Sequence, residues 1–191
     1  MQIRTLISEV EQRIATAMRP FVVAVDGHSA AGKSTVSQAI VAALPQAALL
    51  CTDDFYRVMD AQERFALSAI AGYHAYYDWQ RMRREALHPL KLGEAAQFKV
   101  YDWQRNQLGE WRRIAPAPAI VVEGCFSARP EFDAFVDFVV FVEADPDTRR
   151  KRQSERADAS PTWLARWEAA EEYYISTTQL RHRADAVVIG Q

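Results

Sequence analysis

The chain has 191 residues, 49% hydrophobic and 25% charged, with a net charge of −2, the balance of a single globular domain able to bury a core. No basic excess favours nucleic acid as a partner. No apolar run is long enough to cross a membrane; the longest, Phe132 to Ala144, is broken by Asp133, Asp137 and Glu143. Residues Met1 to Thr5 lead into a charged amphipathic segment without the apolar region of a signal peptide, so a cytoplasmic compartment is expected. Cys51 and Cys125 show neither metal spacing nor a disulfide framework and read as small buried hydrophobes.

Ile3, Leu6, Ile7, Val10 and Ile14 recur at helical spacing, which predicts an amphipathic helix over about 2–18, ended by Pro20. Phe21 to Val25 is a continuous apolar run, as expected of a parallel strand covered on both faces. A glycine-rich turn follows, then a helix from Lys33 to Leu44 stopped by Pro45. Further buried strands are predicted at Ala47–Cys51, Ala119–Val122, Phe138–Val142 and Ala186–Ile189, with helical patterns near 79–92, 146–158 and 161–179. Strands alternating with helices predict an α/β fold, a three-layer sandwich with a central parallel sheet and helices on both faces.

The turn after the first strand reads Gly27-His28-Ser29-Ala30-Ala31-Gly32-Lys33-Ser34, then Thr35, a complete match to the phosphate-binding loop pattern between a buried strand and a helix. Glycines let the backbone aim successive N–H groups into one concavity, and the helix adds its positive end. Lys33 is expected to reach the terminal phosphates of a nucleoside triphosphate, and Ser34 to ligate Mg²⁺. Because Asn106 is the only asparagine, the guanine-reading N-K-x-D motif is excluded and ATP is the expected donor.

Ligands of an open α/β sheet sit beyond the carboxyl ends of its strands, where Asp26, Asp53, Asp54 and Glu123 fall. Asp53 follows the strand expected to neighbour the loop-bearing strand. It would orient or deprotonate an acceptor hydroxyl, or else cap a helix. Glu123 would hold Mg²⁺, or else be a solvated strand-end carboxylate. Arg149, Arg152 and Arg156 share one helical face, suited to close over phosphates from a short lid near 146–160; the alternative is a solvated face paired with Asp145, Asp147, Glu155 and Asp158. Between 55 and 111, Tyr56, Phe65, Tyr73, Tyr76, Tyr77, Trp79, Phe98, Tyr101 and Trp103 form an aromatic-rich insertion, either an acceptor pocket or helices packed on the sheet edge.

Asp26 to Thr35, Thr52 to Arg57, Tyr77-Asp78-Trp79, Tyr101-Asp102-Trp103, Val121 to Gly124, Asp147 to Arg149 with Arg152 and Arg156, and Arg183 to Val188 together resemble the uridine kinase-like family of P-loop kinases, related to phosphoribulokinase and pantothenate kinase. The resemblance implies that Asp53 is the catalytic aspartate, that Asp78 binds ribose hydroxyls, and that Tyr101 and Trp103 lie beside the acceptor base. It also implies that Arg149, Arg152 and Arg156 are lid arginines. Family members that phosphorylate uridine and cytidine carry a histidine shortly after the Tyr-Asp-aromatic segment. Here that stretch is Gln104 to Leu108, so Asn106 or Gln107 takes its place or the acceptor differs.

The expected function is ATP- and Mg²⁺-dependent phosphorylation of a small-molecule hydroxyl by one kinase domain, with a nucleoside 5′-hydroxyl in the lead. The alternatives are another alcohol (a sugar, a pantothenate-like compound or nicotinamide riboside) and a nucleotide-binding regulatory module. A homo-oligomer is compatible with the sequence.

Overall fold

The computed structural model describes residues 1–156 and 160–190, the side chain of Arg156 excepted. In chain order the elements are α1 (Ile3–Thr16), β1 (Phe21–Asp26), α2 (Lys33–Ala43), β2 (Ala47–Cys51), a 3₁₀ turn (Thr52–Phe55), α3 (Ala61–Ala66) and α4 (Ala69–Ala75). A continuous helical run over 79–91 follows, made of α5 (Trp79–Met82), a π turn (Arg83–Leu87) and α6 (His88–Lys91). Next come β3 (Ala96–Asp102), β4 (Gln107–Ile114), β5 (Ala119–Glu123), β6 (Phe138–Glu143), α7 (Pro146–Arg156), α8 (Pro161–Thr177), α9 (Leu180–Arg183) and β7 (Ala186–Ile189).

Five strands form one parallel sheet in the order β2-β5-β1-β6-β7. The three inner strands, Phe-Val-Val-Ala-Val-Asp, Ala-Ile-Val-Val-Glu and Phe-Val-Val-Phe-Val-Glu, are apolar almost throughout, because helices and loops cover both faces. Alternate residues serve opposite sides. Val23 and Val25 of β1 pack with Leu6 and Val10 of α1 and Val36 and Ile40 of α2. Val22 faces Phe55, Met82, Leu87, Leu90 and Phe98 on the other side, and Ala24 joins a third cluster with Tyr77, Phe126 and Tyr174. The predicted three-layer α/β architecture is therefore present.

One expectation is corrected, and one element is new. The strand that ends at Asp53 is not the neighbour of β1: β5 lies between them, pairing Leu49 with Val121 on one side and Val23 with Val121 on the other. Neighbours in a parallel sheet are set by crossover connections rather than by chain order. An antiparallel hairpin, β3-β4, for which the sequence predicts no strand, spans 96–114, with a bulge between Lys99 and Tyr101. Its second strand is exposed along most of its length, so no apolar run marks it.

Candidate active site

The loop after β1 has left-handed backbone at Ala30 (φ 60°) and Gly32 (φ 100°), with Gly27 at φ 142°. A Cβ on Gly27 would stand 2.3 Å from the backbone oxygen of Val142 on β6, so close strand contact as well as turning requires glycine there. Lys33 is buried, and its Nζ donates to the carbonyls of Gly27 and His28, both at 2.9 Å. Burial alone would lower the Lys33 pKa; the neighbouring Cys125 sulfur, Glu171, Asp26 and Glu123 outweigh it, and the net shift is upward. This lysine stays cationic, as polyphosphate binding needs. The His28 ring lies 3.3 Å from Glu172.

Asp26 serves this loop structurally. Its carboxylate accepts from the backbone N–H of Gly27 (2.7 Å), Phe126 (3.1 Å) and Ala128 (2.8 Å) and from the Tyr174 hydroxyl (2.7 Å), with 1% of the residue exposed. It locks the loop to the segment after β5 and to α8.

A cleft of about 330 Å³ opens over the loop. Ser29, Ala30, Gly32, Lys33, Ser34 and Thr35 form its phosphate side, and Asp53 and Glu123 supply carboxylates. Tyr56, Tyr77, Trp103, Trp163 and Trp167 form an aromatic wall. The Ser34 hydroxyl donates to Glu123 Oε1 at 3.2 Å, which brings together the two residues expected at a metal. Hard oxygen donors beside a phosphate loop suit Mg²⁺, which keeps several waters and takes few protein ligands. Burial raises the Glu123 pKa, with Lys33 opposing and Asp53 supporting the shift.

Asp53 is exposed to the cleft and accepts a 2.6 Å hydrogen bond from the Tyr77 hydroxyl; no side-chain cap bond forms at this turn. Asp54 points elsewhere, to an ion pair with Arg112. Of the acceptor-side expectations, Tyr56 and Trp103 line the cleft, their rings stacked with centroids 4.6 Å apart. Tyr101 is buried behind them, its hydroxyl donating to Asn106 Oδ1 at 2.6 Å. Asp78 caps α5 through the Arg81 amide at 3.1 Å and stands 3.9 Å from both Arg57 and Arg81, outside the residues that line the cleft.

Asn106 is committed internally. Its Oδ1 also accepts from Arg64 (3.1 Å), and its Nδ2 donates to the Met59 carbonyl (2.8 Å), so it staples the hairpin to the segment before α3.

Of the arginines expected on a lid, Arg152 donates to the Ala30 carbonyl at 3.1 Å, at the rim of the phosphate loop. Arg149 is buried and lies 3.7 Å from Glu168 of α8. The side chain of Arg156 and residues 157–159 lie outside the described residues.

Residues that sequence reasoning missed come from α8 and from the strand-end cysteine. Glu171 Oε1 accepts from the Ser29 amide (2.8 Å), the Ser29 hydroxyl (2.6 Å), Trp167 Nε1 (2.8 Å) and the Cys125 thiol (3.0 Å). Cys125 also contacts Lys33 Nζ at 3.3 Å and so is more than a packing hydrophobe. The only local signal was an i, i+3 pair of polar groups on α8, Glu171 and Tyr174, facing the same way.

Among the described residues, no helix is long and apolar enough to cross a membrane. The model of the phosphoribulokinase / uridine kinase family matches residues 22–160. Uridine-cytidine kinase B of Dictyostelium discoideum is 30% identical over 139 residues, which cover 70% of this chain and 57% of that protein. The uridine kinase of Deinococcus deserti is 29% identical over 137 residues, covering 69% of this chain and 66% of that one. The chain thus spans a little over half the length of the first relative, and only 26% of mouse uridine-cytidine kinase-like 1. Among solved structures, a possible uridine kinase from Bacillus stearothermophilus superposes with a TM-score of 0.73 at 22% identity, covering 98% of this chain and 99% of that one. A putative fructose transport system kinase from Silicibacter sp. TM1040 does so with the same TM-score at 21% identity and the same coverage; at such identities the likeness concerns the fold. With the family model matched across the phosphate loop, both cleft carboxylates and α7, the chain belongs to the phosphoribulokinase / uridine kinase family.

Proposed function

We propose that this protein transfers the terminal phosphate of ATP to a hydroxyl of a small molecule, with a nucleoside 5′-hydroxyl as the leading acceptor. The observation that carries the reading is the shared cleft, in which the exposed Asp53 carboxylate faces the same space as Lys33, Ser34 and Glu123. Lys33 and the loop amides bind and align the phosphates. Asp53 accepts the proton of the acceptor hydroxyl as its oxygen bonds to the terminal phosphorus and the bridging P–O bond to ADP breaks. Mg²⁺, when bound beside Ser34 and Glu123, neutralises charge on the phosphate oxygens. Arg152, already at the loop rim through Ala30, stabilises the transferring group, a contribution of roughly 10³ to 10⁵ in rate where an arginine does this. The stacked Tyr56 and Trp103 offer a planar acceptor an aromatic surface, since 58% of Trp103 is exposed.

A second reading keeps the chemistry and changes the acceptor to a sugar or another small alcohol. It is favoured by Asn106, whose amide is engaged by Tyr101, Arg64 and Met59 and is not directed to reading a base. Release of ADP measured with uridine, cytidine, adenosine, D-fructose, D-glycerate and pantothenate separates the readings. Turnover of a nucleoside supports the first and turnover of a non-nucleoside alcohol the second. No acceptor-dependent release with any of them, or full activity in Asp53→Ala, overturns the mechanism.

A further inference from the structure

Tyr77 is buried, with 4% exposure, yet its ring edges the cleft. Two backbone hydrogen bonds fix it: Arg57 N–H to the Tyr76 carbonyl and Asp78 N–H to the Phe55 carbonyl, each 2.8 Å, around an isolated antiparallel bridge between Tyr56 and Tyr77. The ring then meets Tyr56, Phe126 and Trp167 edge-on at centroid distances of 5.6, 5.7 and 5.9 Å. With the backbone pinned and three aromatic neighbours around it, the phenol has one place to point. That place is Asp53 Oδ1, at 2.6 Å.

Asp53 itself is poorly held by anything else. It sits in a one-turn 3₁₀ segment and is exposed, and among the described residues no second hydrogen bond or ion pair reaches its carboxylate. The terminal torsion of an aspartate is broad and roughly two-fold, so an unrestrained carboxylate would turn through many orientations. Transfer between bound reactants is sensitive to such misplacement.

We propose that Tyr77 is a positioning residue for the transfer: its hydroxyl clamps one oxygen of Asp53 so that the other faces the acceptor hydroxyl. Burial, together with the charge of Asp53, keeps the phenol protonated and therefore a donor. The same residue thus serves the cleft twice, by its ring as wall and by its oxygen as clamp. The inference rests on the kinase reading above.

The test is steady-state kinetics of Tyr77→Phe, which keeps the ring and removes the hydroxyl. It uses ATP and whichever acceptor of the panel the wild-type protein turns over. The expected result is a roughly tenfold fall in kcat with both KM values within about twofold, because an interaction realised in the transition state is lost while the binding wall remains. In an Asp53→Asn background, Tyr77→Phe is expected to add no further loss, since the clamp has nothing left to orient. The same two substitutions in a urea-unfolding cycle give a coupling that does not depend on turnover. Unchanged kcat in Tyr77→Phe, or an undiminished penalty in the Asp53→Asn background, overturns the clamp while leaving the kinase reading intact. Absence of turnover in the wild-type protein instead sinks the kinase reading.

Discussion

Glu171, on α8, accepts hydrogen bonds from both the amide and the hydroxyl of Ser29, at 2.8 and 2.6 Å, across 142 residues of sequence. The phosphate loop is therefore built by two distant parts of the chain, its own glycine-rich turn and a helix that follows α7. Truncating Glu171 would leave the Ser29 amide, the Trp167 indole N–H and the Cys125 thiol without this acceptor in a buried setting. Glu171→Ala should cost about 2–4 kcal/mol, the sum of a few orphaned donors, read as a lower urea midpoint with the m value unchanged. Glu171→Gln, which keeps one acceptor oxygen, should lose less.

Lys33→Met should weaken ATP binding by roughly tenfold to a hundredfold, the worth of one charge-assisted contact at about 1.5–3 kcal/mol, measured by calorimetry. The pH dependence follows from the upward shift of Lys33 from 10.5. A raised folded-state pKa means that its contribution to stability is complete below 10.5 and lost only as pH rises through the higher folded value. ATP affinity should therefore show no lysine titration between neutrality and about pH 10; a loss of affinity in that range that is absent from Lys33→Met would contradict this.

Glu123 behaves in the opposite sense for function and stability. Burial lifts its carboxyl above 4.5; on the proposed role of Glu123 at Mg²⁺, which uses the ionised form, Mg²⁺-dependent ADP binding should fall off on the acid side at a pH above that of an ordinary glutamate. The stability contributed by the protonated group is complete below 4.5 and is lost as pH rises through the folded value. Glu123→Gln should remove the acid limb of Mg²⁺-dependent binding and weaken the Mg²⁺ requirement, checked by titrating Mg²⁺ at several pH values.

Gly27→Ala should be among the most damaging single substitutions. Its Cβ would lie 2.3 Å from the Val142 oxygen, with the backbone at φ 142°. A clash with backbone cannot be relieved by a rotamer change, so a loss of at least about 3 kcal/mol is expected, seen as a drop in the thermal midpoint by circular dichroism.

The parallel sheet was legible because β1, β5 and β6 are buried on both faces and so are written as unbroken apolar runs. The phosphate loop was legible because its function demands glycine, lysine and a hydroxyl at fixed spacing. The hairpin was not: β3 alternates Ala96, Phe98 and Val100, but its partner β4 carries Glu110, Arg112 and Arg113 on a largely exposed ladder. Nor was the placement of β5 beside β1, since strand order is decided by how crossovers pack. The bonds of Glu171 to Ser29 and of Tyr77 to Asp53 stayed hidden for a related reason: each joins one oxygen to a residue in another element of the fold, and no local pattern encodes such a partner.

Because β5 separates β2 from β1, the ends of three adjacent strands present the polyphosphate cradle, the Glu123 carboxylate and the Asp53 carboxylate in a row. Strands stand about 4.8 Å apart, so the sheet works as a ruler, holding the Asp53 end and the glycine-rich loop roughly two intervals, about 10 Å, from each other at backbone level. On the proposed chemistry, that gauge leaves room for one phosphoryl group and one alcohol between the side chains. Shortening the span by a strand would bring Asp53 onto the phosphates themselves, where like charges would repel.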